Sequence, residues 1–188
     1  MAITLSGSTL SMGGADLTCS SGAWTSAPTG SVIQVVQNTT QTRTGYNSSG
    51  SFSEIAPLGT TITTKMASSK ILLQLSMGGH NDNASGDMGF RAARSVGGSV
   101  TYIDISTDLK GSSTAGFYPN SRGDDVNQGM RINYIFMDEP AQAAGTAIEY
   151  QIYIQTESNN WQLNAPNQDS DDRFCTTRSH VILTEIAP

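Results

Sequence analysis

Positive charge is scarce in this chain. Lysine and arginine number ten in 188 residues, against sixteen acidic residues. Nowhere do the basic residues gather into a stripe, so neither nucleic-acid phosphates nor an anionic membrane surface is a fitting partner. Charge of either sign is low as well, at 14% of residues, about half the usual share. A long helix or coiled coil would need far more Ala, Glu, Lys and Leu. A disordered chain would carry more charge and fewer apolar residues than the 37% present.

Cysteine is limited to Cys19 and Cys175. A secreted disulfide scaffold shows more cysteines at tighter spacing, so the reading is of two buried reduced thiols. The start, MAITLSGSTLSMGG, has no basic region and no long apolar run, so no signal peptide is expected. No segment has the length to cross a bilayer as a helix. The expected site of synthesis is a reducing cytoplasm.

Serine, threonine and glycine fill the space that charge leaves: 24 Ser, 21 Thr and 19 Gly. Helical periodicity is nearly missing, whereas alternation of period two recurs. In AIEYQIYIQ, Ile148, Tyr150, Ile152 and Ile154 share a face opposite Glu149, Gln151, Tyr153 and Gln155. In KILLQLSM, Ile71, Leu73, Leu75 and Met77 share one; in RINYIFM, Ile132, Tyr134 and Phe136 do. The segments 31–37, 99–106 and 180–186 are apolar on both faces in places, which suggests central or interface strands. Segments 58–66 and 88–95 give weaker strand signals. AQAAGTA (141–147) lies between two strong strands and, with Pro140 and Gly145, suits a hairpin loop better than a helix. Eight or more short strands with turn-rich connectors predict an all-β, jelly-roll-like antiparallel sandwich over 31–188. Residues 1–30 read as an N-terminal arm, charge-poor and dotted with Ile3, Leu5 and Leu10, suited to contact a neighbouring subunit.

The chemical motifs are thin. Arg122-Gly123-Asp124 is too short a match to carry an adhesive role. The Asp-rich stretches 80–87 and 167–172 miss the spacing of a calcium loop, and no metal or other cofactor is expected. There is no G-x-S-x-G elbow, no H-E-x-x-H and no glycine-rich phosphate loop. The paired carboxylates are sequence neighbours, which point apart on an extended chain. No catalytic residue is assigned, and an enzyme is not expected. Trp24 and Trp161 lie among small polar residues. Trp161 with Asn159 and Asn160 would suit a sugar, offering a flat apolar face beside amides, unless the indole closes one end of the core.

Four segments, GSVIQVVQNTTQT (30–42), SSKILLQLSMGG (68–79), FMDEPAQAAGTAIEYQIYIQT (136–156) and SHVILTEIAP (179–188), occur in an order that resembles short β-rich bacteriophage virion proteins. These serve as capsid decoration (cement) proteins or as tail-fibre tips. The resemblance spans about five-sixths of the chain and implies a jelly-roll-like fold, homotrimers and a place on the outside of the virion. The short segment before the sandwich favours a decoration protein docked on the major capsid protein through Ile3, Leu5 and Leu10. The alternative is a trimeric tip that recognises host surface glycan. Trimer contacts are expected on sheet faces that are apolar outside the core, such as Val32/Val36 or Ile135/Met137.

Overall fold

The computed structural model describes residues 9–12, 15–20, 23–47, 51–81, 88–103, 129–156, 161–165 and 177–188; within these, only the backbone is described for 9–26, 81, 129 and 130. Three short strands come first: β1 (Thr9–Met12), β2 (Ala15–Ser20) and β3 (Ala23–Ser26). They form their own antiparallel meander in the order β1-β2-β3. Residues expected to lie as an arm thus carry a backbone ladder of their own.

The remaining strands are β4 (Val32–Thr40), β5 (Thr44–Tyr46), β6 (Ser53–Glu54), β7 (Thr60–Thr63), β8 (Lys70–Asn81), β9 (Met88–Val96), β10 (Ser99–Ile103), β11 (Gly129–Asp138), β12 (Ala147–Thr156), β13 (Trp161–Leu163) and β14 (Ser179–Ile186). One 3-10 turn, Ala56–Leu58, precedes β7. In the first sheet β4 pairs with β14, β14 with β8, and β8 with β11. β5 and β13 continue the lines of β4 and β14 toward one end. In the second sheet β10 pairs with β9, β9 with β12, and β12 with both β6 and β7, placed end to end.

Every pairing is antiparallel, and the sequence of partners has a simple rule. Of the eight strand positions, the first pairs with the eighth, the second with the seventh, the third with the sixth and the fourth with the fifth. That is a long antiparallel ribbon rolled so that successive pairs fall in alternate sheets, the connectivity of a jelly roll. The all-β sandwich read from the sequence is the fold observed.

Period-two patterning decides which side chains enter the core. Ile71, Leu73, Leu75 and Met77 of β8 meet Ile148, Tyr150, Ile152 and Ile154 of β12, with Phe90, Ile132, Val181 and Leu183 filling between them. One corner of the roll is zipped by amides on β4. Gln34 Nε2 donates to the Thr63 carbonyl at 2.6 Å, and Asn38 Nδ2 to those of Pro57 and Gly59 at 3.1 and 3.0 Å. Residues 141–146 join β11 of the first sheet to β12 of the second, so the expected hairpin is instead a crossing between sheets; Gly145 within it lies at φ 85°, a value glycine adopts without strain. Thr64 fastens that loop, its Oγ1 donating to the Ala143 carbonyl at 2.7 Å.

Of the three strands expected to be central or at an interface, only β14 is central, between β4 and β8. β4 and β10 are edge strands, because rolling the ribbon leaves its first and fifth positions at sheet margins. Their apolar outward residues are therefore exposed and not central. β9, a weak signal in the sequence, lies between β10 and β12 with Ala92 and Ala93 both fully buried.

Candidate functional site

Among the described residues, four of the six exposed large apolar side chains lie on the outer face of the first sheet. They are Val32 (63% exposed), Val35 (58%), Ile135 (66%) and Met137 (40%). Register aligns them in rows across four strands. Val35, Thr184, Leu72 and Met137 form one row; Gln37, Ile182, Gln74 and Ile135 form the next. Val32 and Ile186 pair beside Lys70, which holds Glu139 at 2.8 Å. Leu72, Ile182 and Ile186 are half-buried. At the other margin, Arg131 Nε donates to Ser76 Oγ at 3.0 Å, and that hydroxyl donates to Asn133 Oδ1 at 2.7 Å. Apolar side chains interspersed with Thr184, Gln37 and Gln74, and bounded by paired polar groups, match the mixed make-up of a protein interface.

The expected Val32/Val36 pair is split. Register runs Glu185 to Gln34 and then Ile186 to Val32, so Ile33 is an extra residue, a β-bulge. A bulge resets the alternation. Val36, opposite Leu183, packs onto the core, while Val35, opposite Thr184, faces outward beside Val32. Ile135 and Met137 lie outward as read.

The unbroken alternation of β14 puts Glu185 on the same inward face as Val181 and Leu183, where it is fully buried. Its carboxylate accepts from the backbone N–H of Lys65 at 2.8 Å and of Met66 at 3.0 Å, from Ser69 Oγ at 2.7 Å and from Gln34 Nε2 at 2.6 Å. A buried charge is tolerable when its lone pairs are satisfied in this way. The group thereby fixes the turn that leads into β8.

Trp161 is not an exposed sugar platform. Its indole is fully buried, edge-on to Phe90 at 5.5 Å and tilted against Tyr46 at 6.0 Å. Space for it exists because β8 carries glycine there: a Cβ at Gly79 would lie 2.5 Å from the Trp161 ring. The indole closes one end of the core. Asn159 and Asn160 lie outside the described residues, as do Ile3 and Leu5. Leu10 pairs with Leu17 in the β1–β2 ladder. The Arg122-Gly123-Asp124 triplet, residues 82–87 and 167–172 of the acidic stretches, and Cys175 also fall outside.

Among the described residues, no group of three or more His, Cys, Asp or Glu side chains could hold a metal ion. Among those residues too, no helix is long and apolar enough to cross a membrane. Sequence reading missed Val35, Leu72, Ile182 and Ile186 as parts of the outward strip. Their alternation with core residues was visible, but the neighbouring strands were not. No family model fits the chain, and no curated protein is significantly similar to it.

Proposed function

We propose that this chain is a structural protein of the bacteriophage virion surface, a homotrimeric decoration protein that stabilises the head from outside. The observation that supports the reading is the exposed strip of Val32, Val35, Ile135 and Met137 on one sheet of a jelly roll. Burying such surface at about 25 cal/mol per Å² over a standard interface holds subunits together without covalent links. The segment carrying Ile3, Leu5 and Leu10 contacts the major capsid protein. Because the ligand binds only the assembled shell, it raises shell stability by mass action. The four ordered segments that resemble virion proteins point the same way.

The test is twofold. Sedimentation should give a trimer that falls to monomer in a Val35→Asp/Ile135→Asp double variant that remains folded. Labelled antibody on purified virions should mark the head, and deletion of residues 2–17 should abolish attachment. A monomeric wild type, or undiminished attachment of the truncated chain, overturns the reading. The second reading, a tail-fibre tip that recognises host glycan, is favoured by the aromatic and carboxylate groups on the opposite sheet. Label at the tail would decide for it.

A further inference from the structure

The outer face of the second sheet has a different chemistry. On β12, Glu149, Gln151 and Tyr153 point away from the core, since Ile148, Tyr150, Ile152 and Ile154 point into it. Register brings Arg91 and Glu54 alongside Tyr153, and Ala93 and Tyr102 alongside Gln151. Four strands, β6, β9, β10 and β12, thus contribute to one patch.

Its parts are held in place. The Arg91 guanidinium lies 3.8 Å from the Phe52 ring centre and 5.0 Å from that of Tyr102, so its charge is taken up by aromatic faces. Tyr102 meets Tyr153 edge-on at 5.5 Å. Tyr153 Oη donates to Gln151 Oε1 at 3.1 Å, and Gln151 Nε2 donates to Glu149 Oε2 at 3.3 Å. Gln151 is only 8% exposed although it stands on a solvent face. An amide fixed this way has lost its rotamer freedom before any ligand arrives, which lowers the entropic cost of binding.

Two carboxylates stand beside the rings without a cation. Glu54 Oε1 and Glu149 Oε1 both come within 3.6 Å of the point a Cβ on Gly59 would occupy. Neither forms an ion pair among the described residues. Their acceptor oxygens favour a ligand that brings hydrogen-bond donors, and their joint charge disfavours an anion. A hard divalent cation would want six or more oxygens, more than this pair supplies. The rings favour a ligand with an apolar edge as well as donors. Hydroxyl donors spaced along an apolar ring are the chemistry of a sugar.

We infer that this face, built from Tyr102, Tyr153, Gln151, Glu54 and Glu149, binds an uncharged saccharide, its hydroxyls on the carboxylates and its ring against the tyrosines. The inference stands apart from where the protein sits on a virion, because a head protein and a tail protein could equally carry it. No bond is made or broken.

The full-length protein should be applied to an array of bacterial surface polysaccharides containing neutral, amino-sugar and uronic-acid units, and neutral binders titrated by calorimetry. Neutral glycans should bind and uronic-acid-rich ones should not. Tyr102→Ala and Glu149→Gln should each weaken the affinity about tenfold or more, with Arg43→Ala, remote on β4's connector, as the unchanged control. Thermal unfolding of each variant confirms that it is folded, and Glu149→Gln keeps the test valid if Tyr102→Ala is not. The inference is overturned if no neutral saccharide binds, or if both variants bind it as the wild type does. It is equally overturned if the face takes up Ca²⁺ or a lysine-rich peptide and no sugar.

Discussion

Tyr150 and Asp138 join the two sheets of the sandwich, the phenol donating to Asp138 Oδ2 at 2.8 Å. The other carboxylate oxygen takes Arg94, the register partner of Tyr150 on β9. Asp138 is buried, and its removal strands the buried Tyr150 hydroxyl and the largely covered Arg94 guanidinium. Asp138→Ala should cost about 3 kcal/mol, and Tyr150→Phe about 1 kcal/mol, both read from urea unfolding.

The same phenol sets an alkaline limit. Burial foremost, then the Asp138 charge and its hydrogen bond, push Tyr150 above the ordinary phenol value of 10.0. In the unfolded chain it ionises at that ordinary value, while in the fold it stays protonated. Stability from this group is therefore complete below pH 10 and falls as pH rises beyond it. Tyr150→Phe should flatten the alkaline decline measured by denaturant midpoint against pH.

Glu54 offers a test with a stabilising outcome. Burial, and then the charge of Glu149, raise its carboxyl above the ordinary 4.5, against a smaller opposing hydrogen bond from Gln151. A raised carboxyl favours the fold when protonated, and that contribution is lost as pH rises through the folded value. Glu54→Gln should be more stable than wild type at pH 7. The gain should vanish below about pH 4.5. A gain independent of pH would show that charge is not its source.

Replacing Glu185 by Gln should destabilise by about 2 kcal/mol, because an amide nitrogen would face the N–H donors the carboxylate now satisfies. Thermal unfolding reads the change. Serine at Ser69 holds one of those four bonds, so Ser69→Ala should have a smaller effect, about 1 kcal/mol.

Gly79→Ala should be the harshest single methyl addition. Its Cβ would fall 2.5 Å from both the Trp161 ring and the Gln162 carbonyl, and neither can withdraw from a packed end of the core. A loss of about 3 kcal/mol and a red shift of tryptophan emission are expected. Gly97→Ala, with nothing within 4 Å of its added Cβ, should cost about 1 kcal/mol from its positive φ alone.

The alternation of Ile148 to Ile154 and of Ile71 to Met77 was legible because each strand has one wet and one dry face. Those two runs suffice for a β-sandwich. They do not specify margins: β4 reads in sequence as a central or interface strand, and only the rolled connectivity puts it at an edge. The bulge at Ile33 was illegible for a related reason. It is a relation between β4 and β14, and no residue in either strand announces it. Trp161 misled because the groups that enclose its indole, Phe90, Tyr46 and Gly79, come from other strands; the signal was the Gly78-Gly79 pair on β8. The second face was hidden likewise, since Phe52, Arg91 and Tyr102 meet Tyr153 through register alone.

The pairing of β4 with β14 has a consequence for biosynthesis. During translation, Val32 to Thr40 leaves the ribosome long before Ser179 to Ile186 exists, yet β14 is its sheet partner. Until then β4 lacks this ladder, and Val36 lacks the core it packs against beside Leu183. Contacts so distant along the chain also form slowly. The subunit is therefore stickiest while it is being made, so a rise in expression rate should penalise yield more than an equal rise in temperature-matched refolding time.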